Sequence, residues 1–107
     1  MSEYCSFIIR VDYVSSSSEV RTEIMDEIRA GILGLGYYLT GGFGDDGQFE
    51  TQEMPVCATS LVTDMEALAE VVRKAGASGE IESKSAHPDF FERLIVKKEE
   101  NEWLKVR

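Results

Sequence analysis

Residues 4–14 carry an apolar side chain at nearly every second position, which is the spacing of a strand with one buried face. The alternating apolar positions of this stretch are Cys5, Phe7, Ile9, Val11 and Tyr13. Mostly polar and charged side chains occupy the positions between them. We therefore predict a strand that packs one face against a core.

A helix pattern follows this strand. Ser16 and Glu19 have the spacing of a capping box, in which two side chains satisfy free backbone N–H groups at a helix start. Apolar residues then recur at spacings of three and four, which predicts one buried helix face. That face comprises Val20, Ile24, Met25, Ile28, Ile32 and Leu35. The helix should end among Gly31, Gly34 and Gly36, because glycine is frequent at helix C-termini.

Extended segments lie on both sides of a glycine-rich connection. Residues 37–40 favour a strand, and a longer extended stretch covers residues 48–62. Pro55 cannot donate a backbone hydrogen bond, so we expect the chain near Met54 to bend, to bulge or to lie at a sheet edge. The near-continuous apolar run over residues 56–62 predicts a central strand.

A second helix is predicted from another capping box, formed by Thr63 and Glu66. Its inward side chains would be Met65, Leu68, Val71, Val72 and Ala75. Lys74 in the last turn and Gly76 just past it are typical of a helix end.

The C-terminal part of the chain returns to extended structure. Ile81 anchors a short predicted strand over residues 80–85, and Pro88 could begin one helical turn. Residues 93–98 and 102–107 have the pattern of a hairpin.

The order of these elements is β, α, β, β, α, β with a C-terminal hairpin or extra strand. This order predicts an α+β fold of the split βαβ (ferredoxin-like βαββαβ) type, with two helices on one face of an antiparallel sheet. Residues 1–107 would form one domain, since no linker long enough to separate two domains is present. This architecture supports many functions, so the function has to be argued from individual residues.

The charge and cysteine content restrict the class of partner and the compartment. The chain carries a formal net charge of −9 from 20 acidic and 11 basic residues, which disfavours direct binding to nucleic acid or to an anionic membrane. It contains neither the apolar run of a membrane span nor the pattern of a secretion signal. Two distant cysteines do not form a disulfide framework, so we expect a cytoplasmic protein.

Gly42 to Gly47 spell GFGDDG, the letters of the dinucleotide fingerprint G-x-G-x-x-G. A nucleotide site needs a helix after this motif, yet the residues after Gly47 alternate like a strand. Asp45 and Asp46 would also repel a pyrophosphate. The spacing does not match a calcium-binding loop either. We therefore expect a hairpin turn, with no cofactor and no functional metal.

Cys57, His87 and Asp89 supply the residue types of a thiol nucleophile, a base and an orienting carboxylate. No positive charge adjoins Cys57 in the sequence to lower the pKa of its thiol, and its predicted strand position suits a small buried side chain. We therefore expect no catalytic site. Cys5 and Cys57 could meet on neighbouring strands, and their oxidation state stays open.

The candidate partner-binding residues are acidic and aromatic. Glu19, Glu23 and Glu27 recur every fourth residue along the first helix, with Asp26 beside them. Like charges at this spacing cost the helix a few tenths of a kcal/mol each. Either this face is simply solvated or it docks on a basic surface. Phe43, between glycines, is either a lid on the core or an interface anchor, and Asp45 and Asp46 extend the acidic set.

Two functional hypotheses follow. The first is a non-enzymatic acidic interaction protein that binds, and thereby inhibits, a larger basic protein such as a nucleic-acid-binding complex. In size and charge the chain is similar in type to phage-encoded inhibitors of host defence systems such as CRISPR, although no motif assigns it to a family. The alternative is a small-ligand-binding regulatory domain of ferredoxin-like architecture that acts as a homodimer.

Overall fold

The computed structural model describes residues 2–12, 17–43, 47–87 and 90–104. These residues form two helices and seven strands. The elements in chain order are β1 Ser2–Asp12, α1 Ser18–Gly34, β2 Leu39–Phe43, β3 Gln48–Thr51, β4 Met54–Cys57, α2 Leu61–Lys74, β5 Ser78–Ser85, β6 Arg93–Val96 and β7 Asn101–Leu104. The predicted α+β class with two helices and a C-terminal hairpin is confirmed.

All seven strands belong to one sheet in which every hydrogen-bonded pair is antiparallel. The strands follow the order β2-β3-β1-β5-β6-β7, and β4 pairs with β1 outside this sequence of neighbours. β1 is therefore central. Along one edge of β1, the N-terminal part pairs with β4 and the C-terminal part pairs with β3. The other edge of β1 pairs with β5.

The predicted long strand over residues 48–62 is wrong, because two separate strands and the start of a helix occupy this stretch. Gln52 leaves the ladder with β1, and its backbone N–H donates to the Tyr38 carbonyl oxygen at 2.8 Å. Pro55 is exposed in β4, which pairs with β1 alone among the described strands. The predicted interruption near Pro55 is confirmed, and it raises the strand count to seven.

The start of α2 also differs from the prediction. Residues 58–60 form a turn in which the Ser60 hydroxyl donates to the Cys57 carbonyl oxygen at 3.1 Å, and α2 begins at Leu61. Ser60, rather than Thr63, occupies the N-cap position. Leu61 is buried, so the apolar run continues into the buried side of a helix instead of a strand. A short apolar run fits either element, which explains the error.

Both helices cover the same face of the sheet. The alternating apolar side chains of β1 and the inward residues of α1 and α2 belong to one core. Within it, the rings of Phe7 and Tyr37 pack edge to face with centroids 5.6 Å apart. Val20 and Leu35 are exposed instead of buried, because they lie in or next to the terminal turns of α1, beyond its buried stripe. α2 packs over β5 and β6, and α1 lies beside α2.

The helix termini show why the chain turns where it does. The Ser17 hydroxyl accepts a hydrogen bond from Val20 N–H at 3.3 Å, while Ser16 lies outside the described residues. Gly36 and Gly76 follow the two helices with φ of 94° and 82°, a left-handed conformation that glycine adopts without strain. The predicted glycine-marked ends are thus confirmed. Neither helix is long and apolar enough within the described residues to span a membrane.

The C-terminal hairpin adds β6 and β7 to the edge of β5. The Ser83 hydroxyl fixes the connection by donating to the Phe90 carbonyl oxygen at 2.5 Å and accepting from Glu92 N–H at 2.8 Å. These bonds hold the Phe90 side chain in the core. Pro88, the predicted start of a helical turn, lies outside the described residues.

Candidate functional site

The predicted acidic residues of α1 lie on its solvent side. Glu19, Glu23, Asp26 and Glu27 are all exposed, and we call them the acidic ridge. The buried residues of the same helix are Ile24, Ile28 and Ile32. Between the first and last members the helix rises about 12 Å, or a little more than two turns. The amphipathic spacing thus places four carboxylates along one accessible strip.

The carboxylates of the acidic ridge have different surroundings. Glu19 lies in the first turn, where the positive end of the helix dipole favours a negative charge. Asp26 is paired with Arg29 through an Oδ1–Nη1 contact of 3.0 Å. Because both side chains are solvent-accessible, this pair contributes little to stability. The ridge therefore combines a dipole-stabilised N-terminal carboxylate with carboxylates that repel one another further along the helix.

Charge is divided unevenly along the chain. Residues 1–70 contain thirteen acidic and three basic side chains, whereas residues 71–107 contain seven acidic and eight basic ones. The first segment supplies β1–β4, α1 and the first ten residues of α2, and the second supplies the end of α2 and β5–β7. The acidic excess is therefore carried by the N-terminal segment of the chain, which includes α1.

The aromatic and acidic residues of the glycine-rich segment are placed only in part. Phe43 is the last residue of β2 and pairs with Phe49, so the prediction of a loop position is wrong. The register between β2 and β3 shifts between Leu39 and Phe43. This part of β2 is rich in glycine, and the register of such strands is weakly specified. Asp45 and Asp46 lie outside the described residues.

Gly47 shows what the GFGDDG segment leads into. Its φ is 83°, its carbonyl oxygen accepts a hydrogen bond from Val11 N–H at 2.6 Å, and β3 begins at the next residue. The segment therefore lacks the following helix whose free N–H groups would bind a pyrophosphate. The prediction of a connection between two strands is confirmed.

The thiol and imidazole of the predicted catalytic set are not adjacent. Cys57 is exposed at the end of β4, so its predicted burial in a central strand is wrong. His87 follows β5 and packs its ring edge-on against Phe90, with centroids 5.6 Å apart. β1 separates β4 from β5, and two strand spacings are about 10 Å. Asp89 lies outside the described residues.

Both cysteines are free thiols. In the β1–β4 ladder Cys5 faces Met54 and Cys57 faces Ser2, so the two cysteines are three positions apart along β1. Three residues of strand cover about 10 Å, which exceeds the Cα separation that a disulfide spans. Burial raises the pKa of the Cys5 thiol. Among the described residues no group of three or more His, Cys, Asp or Glu side chains is arranged to hold a metal ion.

The helix-free face of the sheet carries a cluster of opposite charges that the sequence does not reveal. Arg93 Nε donates to Glu80 Oε1 at 2.7 Å and lies 3.5 Å from Glu82 Oε2. Arg10 reaches the same two carboxylates at 4.0 and 3.9 Å. The register places Arg10 opposite Glu80, and Glu82 opposite Arg93. Because two arginines balance two glutamates, this cluster lacks the acidic excess of the exposed side of α1.

Two ionisable groups near the start of α2 are perturbed by burial. Burial raises the pKa of Tyr37 to about 12, and the nearby Asp64 carboxylate adds to this shift. Burial also raises the pKa of Asp64, partly offset by a hydrogen bond from Ser60. Both shifts oppose ionisation in the folded state, so they favour a structural role for these groups.

Sequence reasoning missed a group of exposed apolar side chains at the C-terminal end of α1. Leu33, Leu35 and Tyr38 are exposed, and the apolar periodicity had assigned Leu35 to the core. The sequence signal that could have identified them is the group of glycines at 31, 34 and 36. These glycines mark the end of the helix, so the residues around them need not continue its buried stripe.

No protein-family model matches this sequence, and neither a curated protein nor a solved structure is significantly similar to it.

Proposed function

We propose that this protein is a non-enzymatic interaction module that binds a larger basic protein through the acidic ridge of α1. The observation that carries this proposal is the accessible strip of four carboxylates on α1, in the acidic N-terminal segment of the chain. By covering a basic surface, the module would inhibit what that surface normally binds. A cytoplasmic phage-type inhibitor of a nucleic-acid-binding defence complex would act in this way.

The charge density of the acidic ridge supports a nucleic-acid-binding target. Along about 12 Å, one strand of DNA presents three to four phosphates, since they are about 3.4 Å apart. Glu19, Glu23 and Glu27 present three carboxylates over the same length, and Asp26 beside them is paired with Arg29. The ridge would replace a short section of phosphate backbone on such a surface, whereas a whole duplex would need many more charges.

The uneven charge distribution supports oriented docking. A basic partner would be attracted to the side of α1 rather than to the balanced face around Arg10 and Glu80. Such steering increases association rates and weakens steeply with ionic strength.

We also infer that the fold is a ferredoxin-like domain with additions. This inference is supported by the order β2-β3-β1-β5, with α1 after β1 and α2 before β5, which is the order expected of a split βαβ sheet. On this interpretation β4 continues β3 after a bend, and β6 and β7 extend the sheet beyond β5.

The proposal is tested by capturing the partner from the native host, identifying it by mass spectrometry and measuring its affinity for two charge-reversed variants. The test variant carries Glu19→Lys, Glu23→Lys and Glu27→Lys. The matched control carries Glu66→Lys, Glu99→Lys and Glu100→Lys, which are exposed carboxylates in α2 and in the turn between β6 and β7.

Both variants change the net charge equally, so overall charge cannot account for a difference between them. We expect the ridge variant to bind at least about tenfold more weakly than the control, consistent with the loss of close interfacial charge pairs. Equal loss in the two variants would contradict a specific role for the ridge.

A shallow cleft favours the alternative of a small-ligand-binding regulatory domain. Its volume is about 410 Å³, and it is lined by Arg73, Gly76, Ala77, Ser78 and Lys98, beside the glycine turn after α2. This volume lies within the usual range of ligand sites. Thermal shift against a metabolite panel distinguishes the two functions, because a ligand at about 100 times its dissociation constant stabilises by about 2.7 kcal/mol. A shift that Ser78→Trp abolishes would favour this alternative.

A further inference from the structure

Three large apolar side chains are exposed within one short segment at the C-terminus of α1. Leu33, Leu35 and Tyr38 expose 48%, 45% and 69% of their surface. We call these three residues the apolar turn. Single apolar residues on a surface need no explanation, but a group of them is a feature of interaction sites.

The backbone holds the apolar turn in this outward position. Gly36 N–H donates to the Leu33 carbonyl oxygen at 3.0 Å, and Tyr37 N–H donates to the Ile32 carbonyl oxygen at 3.3 Å. This pair of hydrogen bonds is a Schellman motif, with the positive φ at Gly36. Ile32 and Tyr37 are anchored in the core, so their neighbours face solvent. A rigid apolar surface loses little conformational entropy on binding.

The electrostatics at this end of α1 favour a positively charged neighbour. α1 has no basic residue in its last turn, whereas α2 has Arg73 and Lys74 in its last turn. The negative end of the α1 dipole is therefore not compensated by its own side chains. Asp26 of the acidic ridge lies seven residues before Leu33, which places both on the same side of the helix two turns apart. Arg29 lies between them and is paired with Asp26, so the negative helix end itself is the group that faces the apolar turn.

We propose that the apolar turn is the docking site for a partner segment that carries one large apolar side chain between Lys or Arg residues. The apolar side chain would pack against Leu33, Leu35 and Tyr38. The flanking cations would face the C-terminal end of α1 and the acidic ridge. This inference rests on the proposed function, because it specifies which part of the basic partner is recognised.

Labelled synthetic dodecamers test this proposal directly. One set has Lys and Arg flanking a central Trp or Leu, a second set has Ala at the centre, and a third set has the apolar centre flanked by Glu. Binding is measured by fluorescence anisotropy at low salt, and the contact region is mapped by amide chemical-shift changes.

We expect the basic peptides with an apolar centre to bind at least about tenfold more tightly than the basic Ala peptides, a difference of about 1.4 kcal/mol. The amide shifts should concentrate at residues 33–38. The triple variant Leu33→Ser, Leu35→Ser and Tyr38→Ser should reduce this preference to about unity, because the anchor surface is gone. Acidic peptides should not bind.

The matched control is the double variant Tyr4→Ser and Val62→Ser. These side chains are also exposed, by 63% and 46%, but they lie on β1 and α2. The control should retain the preference for an apolar centre. The proposal would be overturned if the triple variant kept the preference for an apolar centre or if the control also lost it. It would equally be overturned if the wild-type chain showed no such preference. Peptide-independent self-association that the triple variant abolishes would instead identify a second copy as the occupant.

The same experiment separates this inference from the proposed function. If the triple variant binds basic Ala peptides normally but has lost the preference for an apolar centre, and charge reversal of the acidic ridge weakens binding of every basic peptide, both stand. If charge reversal of the acidic ridge abolishes binding while the triple variant changes nothing, only the docking site fails. If the triple variant abolishes binding and ridge reversal changes nothing, the proposed role of the ridge fails.

Discussion

At the scale of single residues, Gly79 is fixed by the close approach of β5 to β1. It faces Val11 in the ladder, and a Cβ atom there would overlap the Arg10 carbonyl oxygen. Because backbone cannot move aside as a side chain can, we expect Gly79→Ala to destabilise the fold by about 3 kcal/mol. Chemical denaturation measures this change.

Gly34→Ala is the matched control for that substitution. A Cβ atom at Gly34 meets nothing within 4 Å, and its φ is not positive. Since alanine favours a helix over glycine by up to about 1 kcal/mol, this variant should be neutral or slightly more stable. Comparable destabilisation in both variants would show that the contact between β5 and β1 is not the cause.

Asp64 gives stability a defined dependence on pH. Its folded-state pKa is raised by burial, so the folded chain binds the proton more tightly than the unfolded chain does. The stabilisation from the protonated group is present below its ordinary pKa of 3.8 and is lost as pH rises through the folded value. We expect Asp64→Asn to gain stability relative to the wild type as pH rises from 4 to 7, measured by urea denaturation.

Glu66→Gln provides the control, since it removes an exposed carboxylate from the same helix. If Asp64→Asn tracks the wild type at every pH, burial does not oppose ionisation of Asp64 in the fold.

At the scale of elements, Gly31 sets the distance between α1 and α2. A Cβ atom at this position would lie 2.5 Å from Val71 Cγ1. Gly31→Ala improves helix propensity but overpacks the contact, which typically costs about 1–3 kcal/mol. We expect net destabilisation, measured as a lower urea midpoint.

A double-mutant cycle isolates this contact. In a Val71→Ala background the methyl groups that would clash are absent, so Gly31→Ala should become neutral or stabilising. Additive effects of the two substitutions would show that the helices do not meet at this pair.

The elements themselves were largely predictable from periodicity. The alternation around Phe7 is buried on one side only if the segment is a strand. Ile24, Ile28 and Ile32 are buried together only if their segment is a helix. The run over residues 56–62 lacks such a period, and its division between β4 and α2 depends on the turn at Ser60. Terminal turns are equally ambiguous, which is why Leu35 was wrongly assigned to the core.

The candidate site was predictable only where it is local. The spacing along α1 places the four acidic residues on its solvent side, whatever their role. The partners of Arg10 and Arg93 depend on the register between strands. Register is a long-range property that a local pattern does not contain.

At the scale of the whole molecule, the uneven charge should cost stability at neutral pH. The acidic segment of residues 1–70 repels itself, whereas the remainder is nearly balanced. Salt shortens the range of this repulsion, from a Debye length of about 30 Å at 0.01 M to about 8 Å at 0.15 M. We therefore expect the melting temperature to rise between these two ionic strengths.

Local charge reversal determines whether that cost comes from the acidic ridge. Glu23 lies four residues from both Glu19 and Glu27, so Glu23→Lys turns two repulsive pairs into attractive ones. Each such pair is worth a few tenths of a kcal/mol. It should raise the melting temperature at low salt and reduce its salt dependence. Glu99→Lys changes the net charge equally at the balanced end, beside Lys97 and Lys98, and should not stabilise. If both variants gain equally, net charge is responsible. If only Glu23→Lys gains, the ridge lowers stability locally, as residues retained for binding commonly do.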